Sequence, residues 1–120
     1  MSEKIAVLVV EDEALILMGI ANQLEAAGFT VYEATNADAA INILAAHLDI
    51  RLMFTDVDMP GSMNGLKLAA AVRDRWPPVK IIVTSGGRII EITDMPDGSK
   101  FFSKPYDHTA VLSSIHEMLR

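Results

Sequence analysis

The sequence predicts an α/β domain built on a parallel sheet that is covered by helices on both faces. Two observations lead there. Short apolar runs alternate with segments of helical period along the whole chain, the pattern of βα units. Two of those runs, Ala6-Val7-Leu8-Val9-Val10 and Leu52-Met53-Phe54-Thr55, stop abruptly at acids, Glu11-Asp12-Glu13 and Asp56. In parallel strands such endings fall on the same edge of the sheet. At 120 residues the chain fits one domain, residues 1 to 120, and a domain of that size hides most of the surface its unfolded form exposes.

The first strand spans residues 5 to 10. Leu17, Ile20, Ala21 and Leu24 then recur at helical spacing, which predicts a helix from about residue 12 to 27, and Gly28 supplies a left-handed stop. Residues 30 to 34 alternate like a strand. Asn36 caps a second helix that turns Ala40, Ile43 and Leu44 inward. Strand three covers 52 to 55. A third helix follows Gly65, burying Leu66, Ala69 and Val72, until Trp76-Pro77-Pro78 prevents continuation, because proline lacks an amide hydrogen and clashes with the preceding turn. Residues 80 to 83 form strand four. Glycines open the segment from 86 to 98 and Met95-Pro96-Asp97-Gly98 closes it as a turn, so it has room only for a short, irregular helix. Strand five covers 100 to 103. Asp107 caps a last helix with Val111, Leu112, Ile115 and Leu119 on its inner side.

Composition narrows the function classes. A net charge of -6 repels phosphate backbones, and the ten Lys and Arg form no basic run, which argues against direct nucleic-acid binding. With no cysteine, the chain has neither disulfides nor thiolate metal ligands. Met1-Ser2-Glu3-Lys4 lacks a basic segment followed by a long apolar run, and the apolar stretch from residue 5 to 10 is too short to span a bilayer. The expectation is a cytoplasmic protein without membrane contact.

The acids carry the functional signal. Like charges about 4 Å apart repel by roughly 4 kcal/mol at an effective dielectric of 20, so folding alone does not favour three carboxylates at one sheet edge. Something positive should sit among them. Strand four ends in Thr84-Ser85 and strand five in Lys104-Pro105, bringing a hydroxyl and an ammonium to the edge where open α/β folds place their ligands. Each feature alone has an ordinary structural explanation. Acids complement a helix start, Asp56 and Asp58 suit a turn, and Phe101 suits a strand core. Their joint occurrence at four strand ends points to a site. His47, His108 and His116 lack metal-ligand spacing and read as surface residues.

At these residues the sequence resembles the receiver domain of two-component response regulators. The matching pieces are Val10-Glu11-Asp12, Asp56-Val57-Asp58-Met59-Pro60 with Asn64-Gly65, Val83-Thr84-Ser85-Gly86, and Phe101-Phe102-Ser103-Lys104-Pro105, in order along the whole chain. The resemblance implies a flavodoxin-like, doubly wound five-stranded parallel sheet of order 2-1-3-4-5 with about five helices, the fourth short or irregular. It implies that Asp56 accepts a phosphoryl group from a phosphohistidine on a histidine kinase or phosphotransfer protein. Mg²⁺, replaceable by Mn²⁺, would be held by Asp12, Asp56 and the Asp58 backbone carbonyl, with Glu11 acting through water. Lys104 would pair with Asp56 at rest and with a phosphoryl oxygen afterwards. Thr84 would donate its hydroxyl to another oxygen, and Phe101 would swing into the space Thr84 leaves. The face formed by the fourth helix, fifth strand and fifth helix would then be read by an unidentified downstream protein. The Lys104–Pro105 bond is expected to be cis.

Three departures from the family pattern matter. The loop after strand three is one residue longer than in the chemotaxis type, with no expected loss of chemistry. The short fourth helix removes part of the signalling face. Gly86 offers no side chain to shield a phosphoryl group from water, so the expected phosphorylated lifetime is short to moderate. The favoured reading is a stand-alone phosphoacceptor that is no enzyme beyond promoting its own phosphorylation and dephosphorylation. Two alternatives stand beside it. One is a small phosphatase of the haloacid-dehalogenase type, which also forms an aspartyl phosphate, with Asp58 as general acid. The other is a receiver-like binding module that is never phosphorylated.

Overall fold

Strands with no polar face must be covered on both sides, and β1 (Ala6–Val10) is the clearest case, with all five residues fully buried. The computed structural model describes residues 4–59, 63–86 and 92–120. After β1 come α1 (Ala14–Ala26), β2 (Thr30–Ala34), α2 (Ala37–Ala46), β3 (Ile50–Asp56), α3 (Gly65–Arg75), β4 (Lys80–Ser85), a 3₁₀ turn (Ile92–Asp94), β5 (Lys100–Ser103) and α4 (His108–Met118). The strands form one parallel sheet in the order β2-β1-β3-β4-β5.

Alternation along the strands divides the core into two layers. Ala6, Leu8 and Val10 point to the side of α2 and α3, where they meet Ala40, Leu44, Leu68 and Val72. Val7 and Val9 point the other way and meet Leu17, Ile20 and Leu24 of α1 and Val111 and Ile115 of α4. The edge strands β2 and β5 are mostly half-buried. The chain winds outward from β1 in both directions, so the strand order reverses between β1 and β3. A crevice opens at the carboxyl ends of the strands beside such a reversal, and Glu11, Asp12 and Asp56 stand there.

The strands and the capped helices predicted from sequence all have counterparts, β2 and β5 with the bounds expected and the others with shifted ones. α1 begins two residues later than the periodicity suggests, because Glu13 takes the N-cap position and leaves Glu11 and Asp12 in the preceding loop. β3 starts earlier, at Ile50, and keeps its ladder through Asp56, which pairs with Thr84. α3 buries Leu68 rather than Leu66, since Gly65, Leu68, Ala69 and Val72 make the i, i+3, i+4, i+7 stripe. Ile43, Leu112 and Leu119 are half-buried at the margins of their helices. The described residues contain four α-helices rather than about five. Residues 87–91, where much of the expected fourth helix falls, lie outside the described residues, and the next described element is the single 3₁₀ turn.

Local chemistry sets the helix ends. Asn36 Oδ1 accepts from the Ala39 amide at 2.8 Å, Asn64 Oδ1 from Lys67 at 3.0 Å and Asp107 Oδ1 from Thr109 at 3.1 Å. Gly28 ends α1 at φ +99°, a conformation that favours glycine.

Gly65 has a different reason for being glycine. A Cβ there would lie 1.9 Å from the Asp56 carbonyl oxygen and 2.8 Å from Val57 Cα. The start of α3 therefore presses against the backbone that carries Asp56, an approach sealed by the Gly65 amide donating to the Val57 carbonyl at 2.9 Å. Gly65→Ala should lower unfolding free energy by about 3 kcal/mol, against about 1 kcal/mol for Gly28→Ala, where only backbone strain is added. Urea denaturation checks this, and equal losses at the two positions would show that the close approach is not decisive.

Candidate functional site

The loop after β1 is folded around Glu11. Its amide donates to the Ala34 carbonyl at 3.0 Å, tying the loop to the end of β2. Its carboxylate is buried and used on both sides: Oε2 accepts from the Glu13 amide at 3.1 Å, and Oε1 lies 2.8 Å from the Lys104 ammonium. Asp12, next in sequence, is exposed. Asp56 ends β3 almost fully buried, with Oδ2 at 3.2 Å from the same ammonium. One carboxylate oxygen from each of Glu11, Asp12 and Asp56 lies within 4.8 Å of the others.

β4 and β5 complete the edge. Thr84 is fully buried and stands opposite Asp56 in the ladder. Ser85 follows, its hydroxyl donating to Asp58 Oδ2 at 3.0 Å. The Ser85 carbonyl accepts from the Lys104 amide at 2.9 Å, and the Lys104–Pro105 bond is cis. The resulting cleft has a volume of about 280 Å³ and is lined by Asp12, Glu13, Asp56, Asp58, Gly86 and Lys104. Beside it runs an apolar groove of about 440 Å³ between α1 and the start of α4, which shares Gly86 and Lys104 with the cleft. Leu15 of α1, on its rim, is 83% exposed.

Electrostatics leave the site short of positive charge. Burial pushes the Asp56 carboxyl above its ordinary range, and Lys104 pulls it only part of the way back. Burial likewise raises Glu11 against the lysine's pull. For Lys104, burial acts downward, but the two carboxylates outweigh it and hold the ammonium above its usual value. Tyr106 is pushed up to about 12 by burial, reinforced by the charge of Glu11. Three buried oxygens, Asp56 Oδ1, Thr84 Oγ1 and the Tyr106 hydroxyl, have no hydrogen-bond partner among the described residues. Leaving a buried polar group unsatisfied costs about 1–3 kcal/mol. Three hard carboxylate donors, with an unpartnered oxygen among them, suit a small divalent cation such as Mg²⁺.

The structure brings Glu11, Asp12, Asp56 and Lys104 together and sets Thr84 opposite Asp56. Asp58 and Gly86 stand on the cleft wall. Phe101 is half-buried opposite Val83 and packs with the core on the α2–α3 side. Lys104 lies nearer to Glu11 than to Asp56, the partner the sequence suggested. Sequence reasoning passed over Ser85 and Tyr106. A second hydroxyl beside Thr84 was visible, but its partner 27 residues away was not.

Because Asp56 and Glu11 have raised values, each binds its proton more tightly in the fold than in the unfolded chain. The metal-free fold therefore loses stability from these two groups as pH rises from the ordinary carboxylate range through the raised folded values. Asp56→Asn, neutral at every pH, should be more stable than wild type at pH 7 in metal-free buffer. The gain should shrink as pH falls and Asp56 itself protonates. Urea midpoints across pH measure this; a less stable Asn variant at pH 7 would mean that Lys104 more than compensates for burial.

Comparison with known proteins agrees with this geometry. The model of the response regulator receiver domain family matches residues 7–116. A chemotaxis protein CheY homolog from Campylobacter jejuni is 30% identical over 118 residues, covering 93% of this chain and 90% of that protein. The sensor kinase CckA from Brucella abortus is 33% identical over 125 residues, 99% of this chain, although the chain spans only 13% of the kinase. A response regulator receiver protein from Sinorhizobium medicae shares the fold, with a TM-score of 0.90 at 24% identity over 98% of this chain and 95% of the other. No helix among the described residues is long and apolar enough to cross a membrane. With its acids, hydroxyl and lysine gathered at the carboxyl edge of a 2-1-3-4-5 sheet, the chain belongs to the response regulator receiver domain family.

Proposed function

We propose that the protein is a phosphoacceptor switch in which Asp56 takes a phosphoryl group from a phosphohistidine on a histidine kinase or phosphotransfer protein. The observation that carries this reading is the Asp56 carboxylate itself. One oxygen is held by Lys104 and the other, buried, has no partner among the described residues. A carboxylate placed in this way is a nucleophile toward phosphorus. As its oxygen bonds to phosphorus, the phosphorus–nitrogen bond to the donor imidazole breaks and the electron pair returns to that nitrogen.

Transfer of this kind depends mainly on positioning and on cancelling charge on the phosphoryl oxygens. Bound Mg²⁺, or Mn²⁺ in its place, supplies much of that cancellation. Asp12, Asp56 and the Asp58 carbonyl would hold it directly, while Glu11, with both oxygens already engaged, would act through water. Lys104 is placed to move from the two carboxylates onto a phosphoryl oxygen. The Thr84 hydroxyl, without a partner among the described residues, would donate to another. Its inward movement would vacate space for Phe101 and alter the face formed by β5, α4 and the segment before β5, where a downstream protein would bind. The exposed Leu15 and the apolar groove beside the cleft give a macromolecular donor surface to bury. The reaction belongs in the cytoplasm. The phosphatase reading has no observation in its favour, since the carboxylate it needs as general acid, Asp58, is held by Ser85.

Intact mass after incubation with Mg²⁺ and a small-molecule phosphodonor tests the central point. Wild type should gain a single phosphoryl group and Asp56→Asn none; modification of the Asn variant would place the acceptor elsewhere. The lifetime of the product depends on the cleft wall. A Cβ at Gly86 would meet the Lys104 stem at 3.4 Å, an ordinary contact, so a larger residue fits there. Gly86→Glu should slow dephosphorylation severalfold by screening the phosphoryl group from water, and unchanged decay of the phosphorylated form would remove the idea.

A further inference from the structure

Ser85 makes two connections across the site. Its carbonyl accepts from the Lys104 amide at 2.9 Å, fixing the main chain that carries the ammonium. Its hydroxyl donates at 3.0 Å to Asp58 Oδ2, a carboxylate in the turn that follows β3. Ser85 is itself 2% exposed and anchored in the β4 ladder, so its hydroxyl is a fixed point, whereas Asp58 is exposed and lies beyond the end of β3. A hydrogen bond to an ionised carboxylate is stronger than one between neutral groups.

We propose that Ser85 is a positioning residue for the divalent cation, its hydroxyl fixing the Asp58 turn so that the backbone carbonyl of Asp58 is preorganised as a ligand. This rests on the reading of the cleft as a Mg²⁺ site. By engaging the Asp58 side chain, Ser85 also opposes its collapse onto the cation as a further carboxylate ligand. Groups that orient metal ligands without touching the metal typically change affinity by about 10-fold to 100-fold when removed.

The test is Mg²⁺ affinity of the unphosphorylated protein, measured by calorimetric titration and by displacement of Mn²⁺ followed through its electron paramagnetic resonance signal. Ser85→Ala should bind about tenfold more weakly than wild type. Asp58→Ala removes the same hydrogen bond from the other side, so adding Ser85→Ala to it should change affinity by less than about twofold. Unchanged or tighter binding by Ser85→Ala would overturn the proposal, as would an equal loss in both backgrounds, because the hydroxyl would then not act through Asp58. Wild type that binds no Mg²⁺ would instead sink the metal site and this inference with it. Comparable thermal midpoints for wild type and Ser85→Ala separate positioning from general loosening of the fold.

Discussion

The Lys104 ammonium lies 2.8 Å from a Glu11 oxygen and 3.2 Å from an Asp56 oxygen, and both carboxylates are almost completely buried. A buried charge left without its partner costs about 3–5 kcal/mol, so this contact makes the acidic edge compatible with a folded chain. It does not make the edge comfortable. Both acids remain harder to ionise than usual even with the lysine present, and Asp12 adds a third carboxylate within 4.8 Å. The resting site is therefore under-neutralised, a charge balance that would suit a small cation.

Topology creates the convergence. Residues 11, 56, 84 and 104 are far apart in sequence, but each lies within a residue of the carboxyl end of a parallel strand, and parallel strands deliver those ends to one edge. The reversal of strand order between β1 and β3 keeps helices from closing over that edge. Two backbone contacts then hold the parts in place. Gly65 lets the start of α3 sit directly on the Asp56 carbonyl, and the Ser85 carbonyl holds the Lys104 main chain. The buried hydroxyl of Thr84 has no partner among the described residues, so the edge contains a donor with its hydrogen-bonding capacity unused.

The same layout distinguishes rigid from adjustable parts. β1, β3 and β4 are buried through most of their length and carry Glu11, Asp56 and Thr84 on a fixed frame. β5 is a half-buried edge strand, and Phe101 and Lys104 belong to it or come directly after it. Movement triggered by a change at Asp56 is cheapest on that side of the sheet, where fewer packed neighbours resist it.

The order of elements, the five strands and the acids, hydroxyl and lysine at their ends were legible in the sequence, because strand burial and helical period are local properties of residue type. Element boundaries slipped where a cap or ladder decided them: Glu13 at the start of α1, and the ladder bonds that carry β3 through Asp56. Leu66 and Leu68 are adjacent candidates for one stripe, and only packing against the sheet selects Leu68. What composition and spacing determined by themselves was an α/β domain with acids, a hydroxyl and a lysine at one edge of its sheet. Tertiary structure alone decided that Lys104 sits closest to Glu11, that Ser85 holds Asp58, and that Gly65 must lack a side chain. These are contacts between residues distant in sequence, and their distances depend on how the strands align in three dimensions.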